Sequence, residues 1–313
     1  MSSNSSTSSS DRRALVGFAG TALWFSVPVL AYMLIITIAD PFRLFSGVSV
    51  FSDELKQKTA RPLNPCLWKL VYFDRHPAAH ILLGDSRMEG LPAAAVTVRT
   101  GQAYTNLAYG GATLNEIIDT FWFAANRQPL KSVVIGMNLN VYNGYAIYRR
   151  TEAVESFLTN RLLYFTNRNV AEAAYQTYRA AATGVVPDLD RVWAEKEAFW
   201  DGIVAVQDVE YRRWAEPAAY RMQLSKIAEW CRARDVKLTF VAFPSHQDIR
   251  AVMNKYGRMD ALGAMKKDLS GWGRLVDFEQ DSELTRDRTR FMDPVHVTRE
   301  TGSLLVQEIF PGS

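Results

Sequence analysis

The chain of 313 residues predicts an α/β protein: a three-layer parallel sheet between helices, with a helical insertion and one long apolar helix ahead of it. Three observations carry this prediction. Short aliphatic runs at 80–83, 131–137 and 237–243 each end at a glycine, a proline or a polar turn. Helical patterns at 114–127, 217–234 and 299–309 alternate with them, as βαβ units require. Residues 14–39 carry no charged side chain.

Residues 1–10 are nearly all Ser, Asn and Thr, with nothing to bury, so 1–13 reads as a disordered tail. As a helix, residues 14–39 span about 39 Å, enough to cross a bilayer core of about 30 Å. Pro28 near its middle predicts a kink, and Trp24 and Tyr32 suit lipid or headgroups. A cleaved signal peptide and a buried core helix are the rival readings. A signal has a shorter apolar region and a small-residue cleavage site, and a charge-free core helix of this length is rare. Arg12 and Arg13 precede the span and only Arg43 follows closely. The positive-inside rule then keeps the tail cytoplasmic, with a single pass through the inner (cytoplasmic) membrane and the main domain on the periplasmic or extracellular side. Residues 40–77 read as a stalk or lead-in, and Leu67, Trp68, Leu70, Val71 and Phe73 are placed to pack it onto a domain at 78–313.

With 36 Lys and Arg against 33 Asp and Glu, the charge balance does not indicate nucleic acid as a partner. No Cys/His cluster has metal-ligand spacing, and no cofactor is expected. Cys66 and Cys231 are either a pair formed outside the cytoplasm or two separate buried thiols.

The first aliphatic run ends in Gly84-Asp85-Ser86. Ser86 would stand at the carboxyl edge of a strand, by the N-terminus of the next helix, where a nucleophile is exposed near unpaired N–H groups. Arg87 after it either binds an anionic group of a substrate or pairs with Glu89 or Asp85. A second strand near 103–107 leads to Gly110-Gly111, where a backbone N–H can approach a ligand. The third run ends in Gly136-Met137-Asn138, whose amide can face a developing oxyanion or simply form a turn. Near the C-terminus, Asp293 and His296 are three apart, so the carboxylate can hold one imidazole nitrogen while the other faces outward.

Together and in this order, the four stretches resemble blocks I, II, III and V of the SGNH hydrolase superfamily, the GDSL-type esterases and their acyltransferase relatives. Gly84-Asp85-Ser86, Asn106 to Gly111, Gly136-Met137-Asn138 and Asp293-Pro294-Val295-His296 are the matching segments. Leu139 and Arg87 depart from the usual residues. The resemblance implies a flavodoxin-like sheet. It casts Ser86 as nucleophile, His296 as general base and Asp293 as its orienter. The oxyanion hole would be the N–H groups of Ser86 and Gly111 with the Asn138 side chain. It also implies a membrane-anchored esterase or O-acetyltransferase acting on cell-surface or exopolysaccharide, with a multi-spanning membrane acyltransferase as a partner. The other class of function is a non-catalytic carbohydrate-binding or assembly protein of the same fold.

From 141 to 216 the sheet pattern pauses, and a helical insertion is expected over the site. Asp188 is a candidate cap for a helix carrying Trp193 and Trp200. Tyr175, Tyr178 and Trp200 either stack on sugar rings or pack the insertion down. The sheet resumes at 237–243, followed by His246, a second imidazole for substrate or a helix start, and a last strand is expected at 274–278.

Overall fold

A computed structural model describes residues 9–45, 50–186 and 196–311. Asp188 and Trp193 lie outside the described residues. The chain forms two compact units, Met1–Leu63 with Asn160–Pro187 and Asn64–Thr159 with Asp188–Ser313.

The larger unit holds a five-stranded parallel sheet. Its strands are β1 (His80–Leu83), β2 (Thr105–Asn106), β3 (Ser132–Met137), β4 (Lys237–Ala242) and β5 (Arg274–Asp277). Their spatial order is β2-β1-β3-β4-β5, the flavodoxin-like order of doubly wound sheets. All four pairings are parallel, with Leu83 beside Ile135 and Ala242 beside Asp277, so the strands end along one edge. Side chains alternate across the pleat. Leu82, Val134 and Val241 face a cluster with Met88, Val96, Leu305 and Ile309. On the opposite face the strands meet helices Leu114–Ala125, Ala218–Arg232 and Met259–Trp272. The observed helices at 114–125, 218–232 and 299–309 lie within two residues of the expected ones.

Two short strands, β6 (Phe291–Asp293) and β7 (His296–Val297), pair antiparallel after the sheet. The helix Pro65–Arg75 belongs to this unit and buries Leu67, Trp68, Leu70, Val71 and Phe73. Cys66 and Cys231 are free and buried, and burial pushes their thiols up to about 11 and about 12.

The smaller unit contains the helices Ser9–Ala39, Asp53–Thr59, Leu162–Phe165 and Arg168–Thr183. The stretch Thr21–Ala39 is long and apolar enough to cross a membrane, with mean hydropathy 2.1. Trp24 and Phe25 are each 78% exposed, the reverse of a core helix. Tyr32 donates to the Phe165 carbonyl at 2.7 Å and Tyr178 to that of Ile35 at 3.1 Å. Thr59 and Thr177 share a buried hydroxyl bond of 2.8 Å. The stretch expected as one insertion is thus divided, with 160–186 in the smaller unit and the rest in the larger.

Candidate active site

The site begins at the end of β1. Gly84 has φ +150°, a conformation that L side chains rarely adopt, and a Cβ there would meet Met88 Cβ at 2.8 Å. A Cβ on Gly136 would meet Phe243 at 2.8 Å and Met88 at 3.0 Å. Both glycines let the one-turn helix Ser86–Glu89 sit directly on the strand ends. Asp85 caps that helix, its Oδ1 accepting the Arg87 N–H at 3.0 Å.

The structure brings Ser86, His296 and Asp293 together. Ser86 Oγ lies 2.7 Å from His296 Nε2, and His296 Nδ1 lies 2.7 Å from Asp293 Oδ2. Asp293 is fully buried, and its Oδ1 accepts the N–H groups of Val295 at 2.8 Å and His296 at 3.0 Å. A carboxylate held this way fixes the imidazole with Nδ1 as the protonated nitrogen and leaves Nε2 as a base facing the hydroxyl. The Pro294 carbonyl in the same turn accepts the His246 N–H at 2.8 Å.

The Asn138 amide donates from Nδ2 to Asp85 Oδ2 at 2.8 Å, while its Oδ1 accepts the Val141 N–H at 3.0 Å. An amide carries two hydrogens on nitrogen, and the second has no partner among the described residues. Gly111 sits at φ +64°, and its N–H makes no hydrogen bond among the described residues. The Gly110 N–H is taken, donating to Glu89 Oε2 at 2.9 Å. Ser86 opens its helix, so its own N–H has no intrahelical acceptor.

The remaining candidates have other partners. Arg87 is buried, donates to Ser245 Oγ at 3.1 Å and stands 3.9 Å from Asp85, whereas Glu89 pairs with Lys69 at 2.9 Å. His246 is not among the residues lining the cavity at Ser86. It caps the helix Gln247–Lys255, its ring buried edge-on against Trp200 and Phe291. Trp200 is buried and donates to Asp248 at 2.9 Å, so it packs. Tyr175 is exposed in the smaller unit.

Several residues here carried no motif. Arg150 donates to the Gly111 carbonyl at 2.7 Å and to Gly110 at 3.4 Å while paired with buried Glu116 at 2.6–2.8 Å. Glu116 also closes a capping box on Thr113, and that Thr-x-x-Glu spacing is legible in the chain. Arg150 has no local signal. Glu279 is buried near Arg87, and burial pushes its carboxyl up to about 7 against the opposing pull of Arg87. Among the described residues no cluster of His, Cys, Asp and Glu could hold a metal ion.

A cavity of about 520 Å³ opens beside Ser86 and His296. This arrangement can deprotonate a hydroxyl and offers N–H donors to an adjacent oxyanion.

No known family's sequence pattern and no curated protein matches the chain. Among solved structures, a candidate acylhydrolase from Bacteroides fragilis is 13% identical, with 74% of this chain and 82% of that one covered at a TM-score of 0.36. A GDSL-like lipase from Bacteroides thetaiotaomicron is 12% identical, with 76% and 91% covered at 0.38. A candidate lipolytic protein of the G-D-S-L family from Desulfitobacterium hafniense is 10% identical, with 73% and 95% covered at 0.36. Superpositions this loose leave the functional reading to the site's own geometry.

Proposed function

We propose that the protein is a serine acyl-ester enzyme of the SGNH kind, with Ser86 as nucleophile. The observation that carries this is the pair of 2.7 Å contacts running from Ser86 Oγ through the imidazole to buried Asp293. In the first half-reaction His296 Nε2 takes the hydroxyl proton as Oγ bonds to the ester carbonyl carbon. The N–H groups of Ser86 and Gly111 and the free hydrogen of Asn138 meet the oxyanion. The carbon–alkoxide bond breaks, the alkoxide leaves with the proton from His296, and an acyl-serine remains. In the second, water or a sugar hydroxyl gives its proton to His296 and attacks the same carbon, the carbon–Oγ bond breaks to release the acid or the new ester, and Ser86 Oγ takes the proton back from His296.

The finer parts of the proposal are a single-pass anchor in the cytoplasmic membrane, a periplasmic or extracellular site, and a hydroxyl acceptor on cell-surface or exopolysaccharide. The apolar helix with its exposed face supports the anchor. Transfer of an acetyl group, with a multi-spanning acyltransferase as partner, rests on the family resemblance alone. A fluorophosphonate probe tests the core of the proposal. The expected result is one label per chain on wild type and none on Ser86→Ala. A folded wild type that takes no label points instead to a non-catalytic carbohydrate-binding or assembly protein.

A further inference from the structure

The cavity beside Ser86 is much larger than the reacting atoms need. At about 520 Å³ it falls in the roughly 300–1,000 Å³ range of pockets that enclose a small organic ligand. Most of its wall is hydrocarbon. Leu91, Pro92 and Ala94 follow the nucleophile's helix, Phe243 follows β4, and Met292 and Val297 flank the turn that carries His296. Gly111 and Asn138 do not line it. Of the charged side chains in its lining, Arg87 is held by Ser245 and Glu89 by Lys69 and the Gly110 N–H, while Arg299 stands exposed at the surface. An acetyl group would leave most of this apolar wall against water, and a longer chain would cover it.

Resting on the serine acyl-ester reading above, we propose that this cavity holds the hydrocarbon tail of the acyl group. The substrate class is then esters of acyl chains well beyond acetyl. The acyl side is favoured over the alcohol side by the order of events. The acyl group stays on Ser86 through both half-reactions, whereas the leaving alcohol's place must be refilled by water or a hydroxyl. A hydrocarbon wall disfavours entry of either one. The acetyl group implied by the family resemblance is the alternative that this cavity argues against.

The test uses the full chain in detergent and 4-nitrophenyl esters from acetate to decanoate, with fluorophosphonate labelling run beside it. Burial of each methylene is worth about a fourfold gain in kcat/KM. Acetate and octanoate differ by six methylenes, so the expected rise between them is on the order of 10³-fold. Ala94→Trp fills part of the cavity and lowers the octanoate-to-acetate ratio by about tenfold or more. If wild type labels yet prefers acetate, or if Ala94→Trp leaves the ratio unmoved, the acyl-tail assignment is wrong while the serine reading stands. The same holds if rate follows chain length in a series of alkyl acetates instead. If folded wild type takes no label, the underlying reading fails and this proposal fails with it.

Discussion

Arg150 joins two things that are far apart in the chain: the carboxylate of Glu116 and the carbonyls of the Gly110–Gly111 turn. Gripping those carbonyls fixes the direction of the Gly111 N–H without touching a substrate. Arg150→Met should lower kcat by about 10- to 100-fold with KM little changed, less than the 10²–10³ of losing an oxyanion donor outright. Arg150→Lys should recover only part of the loss, because an ammonium cannot span both partners. Steady-state kinetics beside thermal unfolding separates this from simple destabilisation. Glu279 gives a second prediction. Its carboxyl is raised from 4.5 to about 7 in the folded state, so folding favours the protonated form. Its contribution to stability is fully present below pH 4.5 and is lost as pH rises through 7, about 3 kcal/mol in all. The Tm of wild type should fall over that window, and Glu279→Gln should flatten the fall. A variant with the same slope as wild type would contradict this.

At the scale of elements, the position of the nucleophile depends on how closely the helix Ser86–Glu89 approaches the ends of β1 and β3. Gly136→Ala places a methyl against Phe243 and Met88, and should cost about 1–3 kcal/mol in a denaturant titration. An unchanged midpoint would mean that the helix can move away freely. Three main strands were legible because aliphatic runs stopping at glycine or proline mark buried parallel strands, and β1, β3 and β4 were found where those runs stand, with β5 at the expected last strand. The second strand shrank to Thr105–Asn106, an edge element that pairs on one side only. Ser86, Asn138, Asp293 and His296 were legible as motif residues. Glu89 and Arg150 were not, since their roles depend on neighbours 20 or more residues away. His246 stands after a strand as a site imidazole would, but its ring packs against Trp200 and Phe291 and caps the next helix, and its backbone N–H goes to the Pro294 turn.

At the scale of the whole molecule, the division of residues 141–216 between two units was not legible. Helical periodicity says that a helix has a buried face and not which partner covers it. The apolar helix bears on where the protein works. If it anchors the chain, the protein should stay with membranes at high pH and high salt and be released by detergent. The intact mass should then retain residues 14–39. A soluble chain beginning after residue 39 would show a cleaved signal instead.

The central claim is that His296 activates Ser86. The rate constant for phosphonylation of Ser86, measured by intact mass on wild type and on His296→Ala, tests it most directly. Wild type should form a single adduct, and the variant should react more slowly by on the order of 10⁴ or more, with both chains folded by circular dichroism. Equal rates for the two would contradict it.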